Sequence, residues 1–447
     1  MNKENQFLKT VCSIAVPVTL QSMLQSSFSM IDQIMIGQLG SASIAGIGLA
    51  SKFSSIFSVL VSAIAAVAGI MISQYIGKKD EKNIRCSFYI NLLAALGLAA
   101  IFTVLCVFFS SQIMQMYTSD PLTNQTAAGY LQIMAFTNLP IAGATILSTL
   151  LRCRGKASLP LYASILAAVI NTGLNYVFIF GKFGFAPMGV NGAALATVIA
   201  QLANFLFVLI FLLKYNKKQN KKIPFTIQLG NLGRKQYLVI LIPILITEFL
   251  WSLGENVYAV IYGHMGTQSC AAMTLTNPIQ GLMIGALTGL AQAAGIIIGK
   301  TLGSNGYEQA YHESKKLMRY GLYCSVGLSV LLLLLSGLYV QIYQVEDAVK
   351  ATAVQILTAY AVISPVKVQN MVLGGGILRS GGKTKYVMWI DIVGTWAFGV
   401  PLGLLSAFVW NLPIPWVYFI LSLEECVRLT ISLIIFRKKK WMQSLHS

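Results

Sequence analysis

Charge is what this sequence has least of. Asp, Glu, Lys and Arg make up 10 % of its 447 residues, against about 25 % in soluble domains. Only three histidines occur, His264, His312 and His446, too far apart in the chain to form a metal motif. The seven cysteines (Cys12, Cys86, Cys106, Cys153, Cys270, Cys324, Cys426) are scattered, with no CxxC pair. They read as packing residues, and no disulfide framework is expected. There is no HExxH, no pair of histidines across apolar runs and no nucleotide loop. The longest polar connector, roughly 20 residues, leaves no room for a catalytic domain. An enzyme is therefore not expected, and neither is a cofactor.

What the chain has in abundance is long apolar runs. Hydrophobic residues make up 56 %, gathered in stretches of roughly 20, enough to cross a bilayer as helix. Twelve spans are expected near 7–36, 44–76, 87–109, 127–151, 159–181, 188–214, 236–262, 272–300, 316–343, 352–378, 386–410 and 413–436. The first run reads as a span, not as a cleavable signal. The fold class is all-α integral membrane. Of the 32 Lys and Arg, 27 sit in alternate connectors and at the two ends of the chain. The opposite connectors hold only Lys182 and Lys350, and Lys52, Lys367 and Arg428 lie within spans. The positive-inside rule places both termini in the cytoplasm, which an even number of crossings satisfies. Topology thus accounts for the formal net charge of +18, and the expected partner is the lipid bilayer, not nucleic acid.

Shifted by about 226 residues, the chain falls on itself. Pro17 meets Pro243, and Gly37-Gln-Leu-Gly40 meets Gly263-His-Met-Gly266. Ala68-Gly69-Ile70, with Ile72 and Gly77, meets Ala294-Gly295-Ile296, with Ile298 and Gly303. One residue further, Leu151-Arg152-x-x-Gly155-Lys156 meets Leu378-Arg379-x-x-Gly382-Lys383. Two six-helix bundles follow, 1–214 and 236–447, joined by a basic cytoplasmic linker, 215–235. Six spans per half keep both halves in the same orientation, giving a parallel repeat about an axis along the membrane normal. Two such bundles leave a cavity between them and can rock to open one face and then the other. A duplicated twelve-span shell fits transport better than a channel.

Several stretches resemble the multidrug and toxic compound extrusion (MATE) family. The run Gln25-Ser-Ser-Phe-Ser-Met-Ile-Asp32-Gln-Ile-Met-Ile-Gly37-Gln-Leu-Gly40 is similar to that family's first span. Asn171-Thr-Gly-Leu-Asn175-Tyr-Val-Phe-Ile-Phe-Gly181, Gly189-Val-Asn-Gly-Ala-Ala-Leu-Ala-Thr197 and Gly376-Ile-Leu-Arg379-Ser-Gly-Gly382-Lys are similar to its fifth, sixth and tenth span regions. The resemblance covers essentially the whole chain. It implies a cation-coupled exporter of small organic cations or drugs, of the kind found in the bacterial cell (inner) membrane and working as a monomer.

A charged side chain in the hydrocarbon costs about 2.5–3.5 kcal/mol, so each one left there needs a partner or a task. Asp32 precedes Gly40 by eight residues, about 12 Å below the outer surface at 1.5 Å per residue. Asn175 and Thr197 fall at about 9 and 12 Å by the same measure, and Asn171 is one turn from Asn175. An oxygen-rich pocket around one carboxylate suits H⁺ or Na⁺, and no metal is expected beyond Na⁺ at Asp32. The resemblance carries the family's cation site onto Asp32, Asn171, Asn175 and, more loosely, Thr197. Many members have Asp where this chain has Asn175, a departure that weakens a Na⁺ site and favours H⁺. Interhelical hydrogen bonding is the competing role for Asn171, Asn175 and Thr197, and a buried structural carboxylate the competing role for Asp32.

The second half carries Glu248 and Glu255 in span seven and Lys367 in span ten. Glu248 and Lys367 lie about 20 and 18 Å in from the same side, which predicts an ion pair, either a coupling switch or a bridge between spans. Some relatives carry a carboxylate near Lys367, so a second Na⁺ site is in doubt. Glu255, nearer the outside, is placed to meet a cationic substrate. Asp391 reads as an anchor, and Glu424 and Arg428 as an i,i+4 pair. Pro17 and Pro243 interrupt the first span of each half and can bend it. Met23, Met30, Met35, Phe28, Met273, Met283, Tyr258 and Trp251 suit a malleable drug cavity. Two other functions stay open: a lipid-linked precursor flippase of a related fold, and a membrane-embedded enzyme. A strongly cationic cavity would favour the flippase.

Overall fold

The computed structural model describes residues 3–37, 41–117, 120–218, 234–342 and 346–445. Among them the chain is helical throughout, in the order α1 (Lys3–Gly37), α2 (Ser41–Gly77), α3 (Glu81–Phe108), α4 (Ser110–Gln115), α5 (Pro121–Met134), α6 (Asn138–Cys153), α7 (Ser158–Phe180), α8 (Gly189–Lys218), α9 (Arg234–His264), α10 (Thr267–Gly303), α11 (Tyr307–Gln341), α12 (Asp347–Asn370), α13 (Thr384–Asp391), α14 (Val400–Leu404), α15 (Ile414–Ser422) and α16 (Glu424–Arg437). Eleven helical stretches among the described residues are long and apolar enough to cross a membrane. The remaining expected span, 413–436, forms as α15 and α16, with Leu423 between them. Glu424, Glu425 and Arg428 lower its hydropathy just past that joint.

Two details of the expected spans change. The connector expected over 300–319 is mostly helix: α10 runs to Gly303 and α11 begins at Tyr307, so those lysines ride on helix ends. Span four is α5 and α6 joined by a single 3-10 turn, Ala135–Thr137. The 215–235 linker lies largely outside the described residues, as do positions 38–40 of the first motif.

The repeat is written into the backbone as well as the sequence. Gly155 and Gly382, paired by the 227-residue shift of their motif, both adopt φ +75, the left-handed region that glycine enters without penalty. Each donates its N–H over 3.0 Å to the carbonyl of the motif arginine, Arg152 or Arg379. Lys79 and Asn305, also repeat mates, share φ 60.

Contacts group the chain into two compact units. One holds 20–72 and 80–232, and the other 1–19, 73–79 and 233–447. In the first, Ala127, Ala128, Ala193 and Ala194 are buried with Ile47, Leu131 and Ile179. Small residues let helices approach closely where lipid removes the hydrophobic drive between them. The second unit is cored by Ile356, Leu357, Tyr360, Val417 and Leu421 with Ala272, Ala353 and Ala361. Ile101, Val104 and Phe108 on α3, and Val330, Leu334 and Leu338 on α11, are exposed at helical spacing. Such apolar stripes suit hydrocarbon.

Candidate functional site

In the first half the site is built on the α7–α8 hairpin. Gly181 ends α7 in the left-handed conformation, φ 65 and ψ 50, a glycine C-cap. Gly192 lets α8 press onto α7: a methyl there would lie 2.8 Å from the Phe178 carbonyl. That close approach brings the predicted polar residues together. Asn175 donates to Asn171 Oδ1 over 3.2 Å, and Asn171 donates to Thr197 Oγ1 over 3.1 Å. Thr197 passes its own hydrogen to the Ala193 carbonyl over 2.9 Å. Asn171 and Asn175 are buried. Asp32 lies on α1, but its side chain is outside the described residues. So three of the four predicted residues form one polar chain across two spans.

Elsewhere in the same unit, Arg152 donates through Nη2 to Gln21 Oε1 over 2.6 Å, and Gln21 donates to Ser164 Oγ over 2.7 Å. The signal for this contact was in the sequence, since Arg152 belongs to the repeated Leu-Arg-x-x-Gly-Lys motif.

In the second half the expected Glu248–Lys367 pair does not form. Glu248 Oε1 instead takes Arg379 Nη1 at 3.0 Å, and Lys367 Nζ faces Glu425 Oε1 at 4.0 Å. Depth along the membrane put Glu248 level with Lys367 but could not say which helix faces it, and Arg379 reaches inward from its loop on a long side chain.

Lys367 belongs to a larger buried ionic cluster. Arg428 lies 3.7 Å from Asp391, 3.8 Å from Glu424 and 4.0 Å from Glu425, and also bonds Thr395. The i,i+4 pair Glu424–Arg428 is therefore present, within a wider network. Tyr258 donates to Glu424 Oε2 over 2.6 Å. Asn370 donates to the Glu425 carbonyl and carboxylate over 2.8 and 2.7 Å. Glu424, Glu425 and Arg428 are buried. Three carboxylates thus face two cations.

The backbone around this cluster is wound as π-helix over Met371–Leu378 and Ile392–Gly399. Such turns widen the helix and occur often at functional sites. Gly399 leaves room for the Tyr258–Glu424 bond, which a methyl at that position would overlap. Sequence reasoning missed Glu425, Asn370, Thr395 and Arg379 as partners. Five acids (Glu248, Glu255, Asp391, Glu424 and Glu425) and the deep bases Lys367 and Arg428, spread over spans seven to twelve, were a visible signal that charges meet there, but their pairing was not.

Glu255 is exposed on α9, as a substrate contact would need. Pro17 and Pro243 both lie inside unbroken helices, α1 and α9. Tyr258, Met273 and Met283 are buried. They pack in the core of their unit, where their size fills the space between helices. The six cysteines whose side chains are described are all free, and the Cys270 side chain is outside the described ones. No cluster of His, Cys, Asp and Glu among the described residues could hold a metal ion.

The MatE family model matches residues 17–177 and 243–405, one copy per repeat, the copies starting at Pro17 and Pro243. The "Uncharacterized transporter YisQ" of Bacillus subtilis (strain 168) is 22 % identical over 432 residues, covering 96 % of this chain and 94 % of that protein. The "Probable multidrug resistance protein NorM" of Neisseria meningitidis serogroup B is 25 % identical over 425 residues, covering 91 % and 90 %. A crystal structure of MATE in complex with MaL6 aligns with TM-score 0.88 at 17 % identity, over 98 % of both chains. An outward-facing multidrug resistance MATE family transporter of the MOP superfamily aligns with TM-score 0.86 at 18 % identity, over 98 % and 99 %. The solved structures share the fold, and the two-copy match spans most of both repeats. This chain belongs to the MatE family.

Proposed function

We propose that this protein is a cation-coupled antiporter that exports organic, mostly cationic, compounds by alternating access. H⁺ or Na⁺ is the coupling ion, exchanged at Asp32 with Asn171, Asn175 and Thr197 as neighbouring polar ligands. The observation that carries the reading is the Asn175–Asn171–Thr197 hydrogen-bond chain, which lines up three of the four site residues between two membrane spans. Relatives named as probable multidrug resistance proteins are consistent with drugs as the transported compounds.

In the second half, Glu255 is the candidate contact for a cationic substrate. The surplus carboxylate of the Asp391–Glu424–Glu425 cluster is balanced by a proton or by that cation. Glu248 serves as a structural partner of Arg379, and Lys367 neutralises Glu425. Pro17 and Pro243 supply the bend in the first span of each repeat. The protein works as a monomer in a bacterial inner membrane, with its basic loops and both termini in the cytoplasm.

The test is export of a cationic dye from vesicles under separately imposed proton and Na⁺ gradients. Wild type should export under at least one gradient, and Asp32→Asn should lose at least about tenfold in gradient-driven rate, a change of 1.4 kcal/mol. Equal export by the mutant would remove Asp32 from the mechanism.

A further inference from the structure

The repeat contains a motif that the ion sites do not use. Ser73, Gln74 and Gly77, near the end of α2, occupy the same places in the first repeat as Gly299, Lys300 and Gly303 in the second. In the structure these two segments meet, and the contact is reciprocal. A methyl on Gly77 would overlap the Lys300 carbonyl, and a methyl on Gly303 would overlap the Gln74 carbonyl. Gly299 receives the Ser73 hydroxyl in the same close way. The basic-loop ends of α2 and α10 therefore cross backbone to backbone about a local twofold. Gly77, Gly299 and Gly303 contribute no side chain to this crossing, which lets the two backbones approach this closely.

The symmetry stops at the segment after α16. Gln74 is wholly buried and donates through Nε2 to the Ser380 carbonyl over 2.6 Å and to the Gln443 carbonyl over 3.3 Å. Its Oε1 accepts the Leu445 N–H over 2.8 Å. Gln236, at the start of α9, donates to the Leu445 carbonyl over 2.9 Å. Trp441 anchors the segment: it is wholly buried, stacks on Phe436 at 5.7 Å and donates to the Phe436 carbonyl over 3.3 Å. Gly381 lies directly on the Trp441 carbonyl, where a methyl would collide. One short strap thus joins the end of α2, the loop after span ten and the start of α9.

We propose that residues 441–445 form a latch that fastens the basic-loop end of α2, where it crosses α10, to the loop after span ten and the start of α9, with Gln74 as the catch. The strap sets how readily that end parts from α10. The hydrogen bonds of Gln74 to the strap must break before that end opens. The inference rests on alternating access only for the need of that end to open, and its test requires neither substrate nor coupling ion.

The experiment reads the exposure of the crossing directly. Ser73→Cys, in a chain whose native cysteines are replaced, is labelled in vesicles with a membrane-impermeant maleimide supplied to both faces, without gradient or dye. Two further forms carry the same cysteine: a chain ending at Lys440, and a full-length chain with Gln74→Met, which keeps the shape and removes the hydrogen bonds. Both should label at least about fivefold faster than the unmodified strap, the shift expected from losing one hydrogen bond. Glu308→Ala, which removes the exposed pair with Lys439 from the α11 side and leaves the strap's own residues unchanged, should label at the parent rate. Labelling of Gln74→Met at the parent rate overturns the latch, whether or not the shortened chain folds. So does equal acceleration by Glu308→Ala, because it would show general loosening. A protein that labels as expected yet exports no dye would retain the latch and lose the antiport reading.

Discussion

Arg379 holds Glu248 exactly as far along the chain, 131 residues, as Arg152 holds Gln21. The two contacts are the same feature of the repeat, neutral in the first half and ionic in the second. In each, the arginine after the fourth span of its half reaches back to a polar residue on the first. That equivalence favours a structural role for Glu248 over a protonation switch, because the first half makes the contact with an amide that cannot titrate.

The pair therefore predicts a specific ordering of variants. Glu248→Gln should reproduce the Gln21–Arg152 arrangement and stay within about 1 kcal/mol of wild type in stability, with transport intact. Glu248→Ala should lose about 2 kcal/mol, since the Arg379 guanidinium keeps its desolvation without its acceptor. Thermal melting in detergent, alongside dye export, separates the two outcomes. A Gln variant that folds like wild type but transports nothing would restore the switch.

Arg428 carries the buried cluster. Replacing it with Leu removes the cation that Asp391, Glu424 and Glu425 share, and removing one side of a buried pair costs about 3–5 kcal/mol. The variant should melt far below wild type, or fail to run as a single species on size exclusion. Melting within a degree of wild type would mean that the carboxylates are neutralised some other way.

Tyr258→Phe and Gly399→Ala should not be independent. The first removes the hydrogen bond to Glu424, and the second puts a methyl where that bond lies. Each should cost about 1.5–3 kcal/mol, the range for a hydrogen bond to a charged group. The double variant should cost less than the sum of the two, measured by a thermal double-mutant cycle. Full additivity would show that the methyl is accommodated without disturbing the bond.

Asn175→Asp adds a carboxylate to the polar chain on α7. Two unit charges 4 Å apart interact by about 4 kcal/mol at an effective dielectric of 20. Even a third of that would raise the Na⁺ dependence of export about tenfold. The measurement is dye export against Na⁺ concentration at fixed pH. An unchanged Na⁺ dependence in a folded variant would leave Asn175 as a helix-to-helix hydrogen-bonding residue.

The apolar spans and the duplication were both legible along the chain. Hydrocarbon thickness sets the length of each apolar run, and the duplication left Pro17, Gly77 and Arg152 matching Pro243, Gly303 and Arg379. The Asn171–Asn175–Thr197 chain was also within reach, because residues one turn apart share a face and the helix after a short hairpin must pack beside its neighbour. The partners of Glu248 and Lys367 were not. Counting residues from a loop fixes how deep a group lies, but rotation about each helix axis and the choice of neighbouring helix come from packing across the whole unit. Depth is a local quantity and azimuth is a collective one. For that reason Arg379 could take Glu248, Glu425 could take Lys367, and Gln74 could close on a strap 371 residues further along the chain.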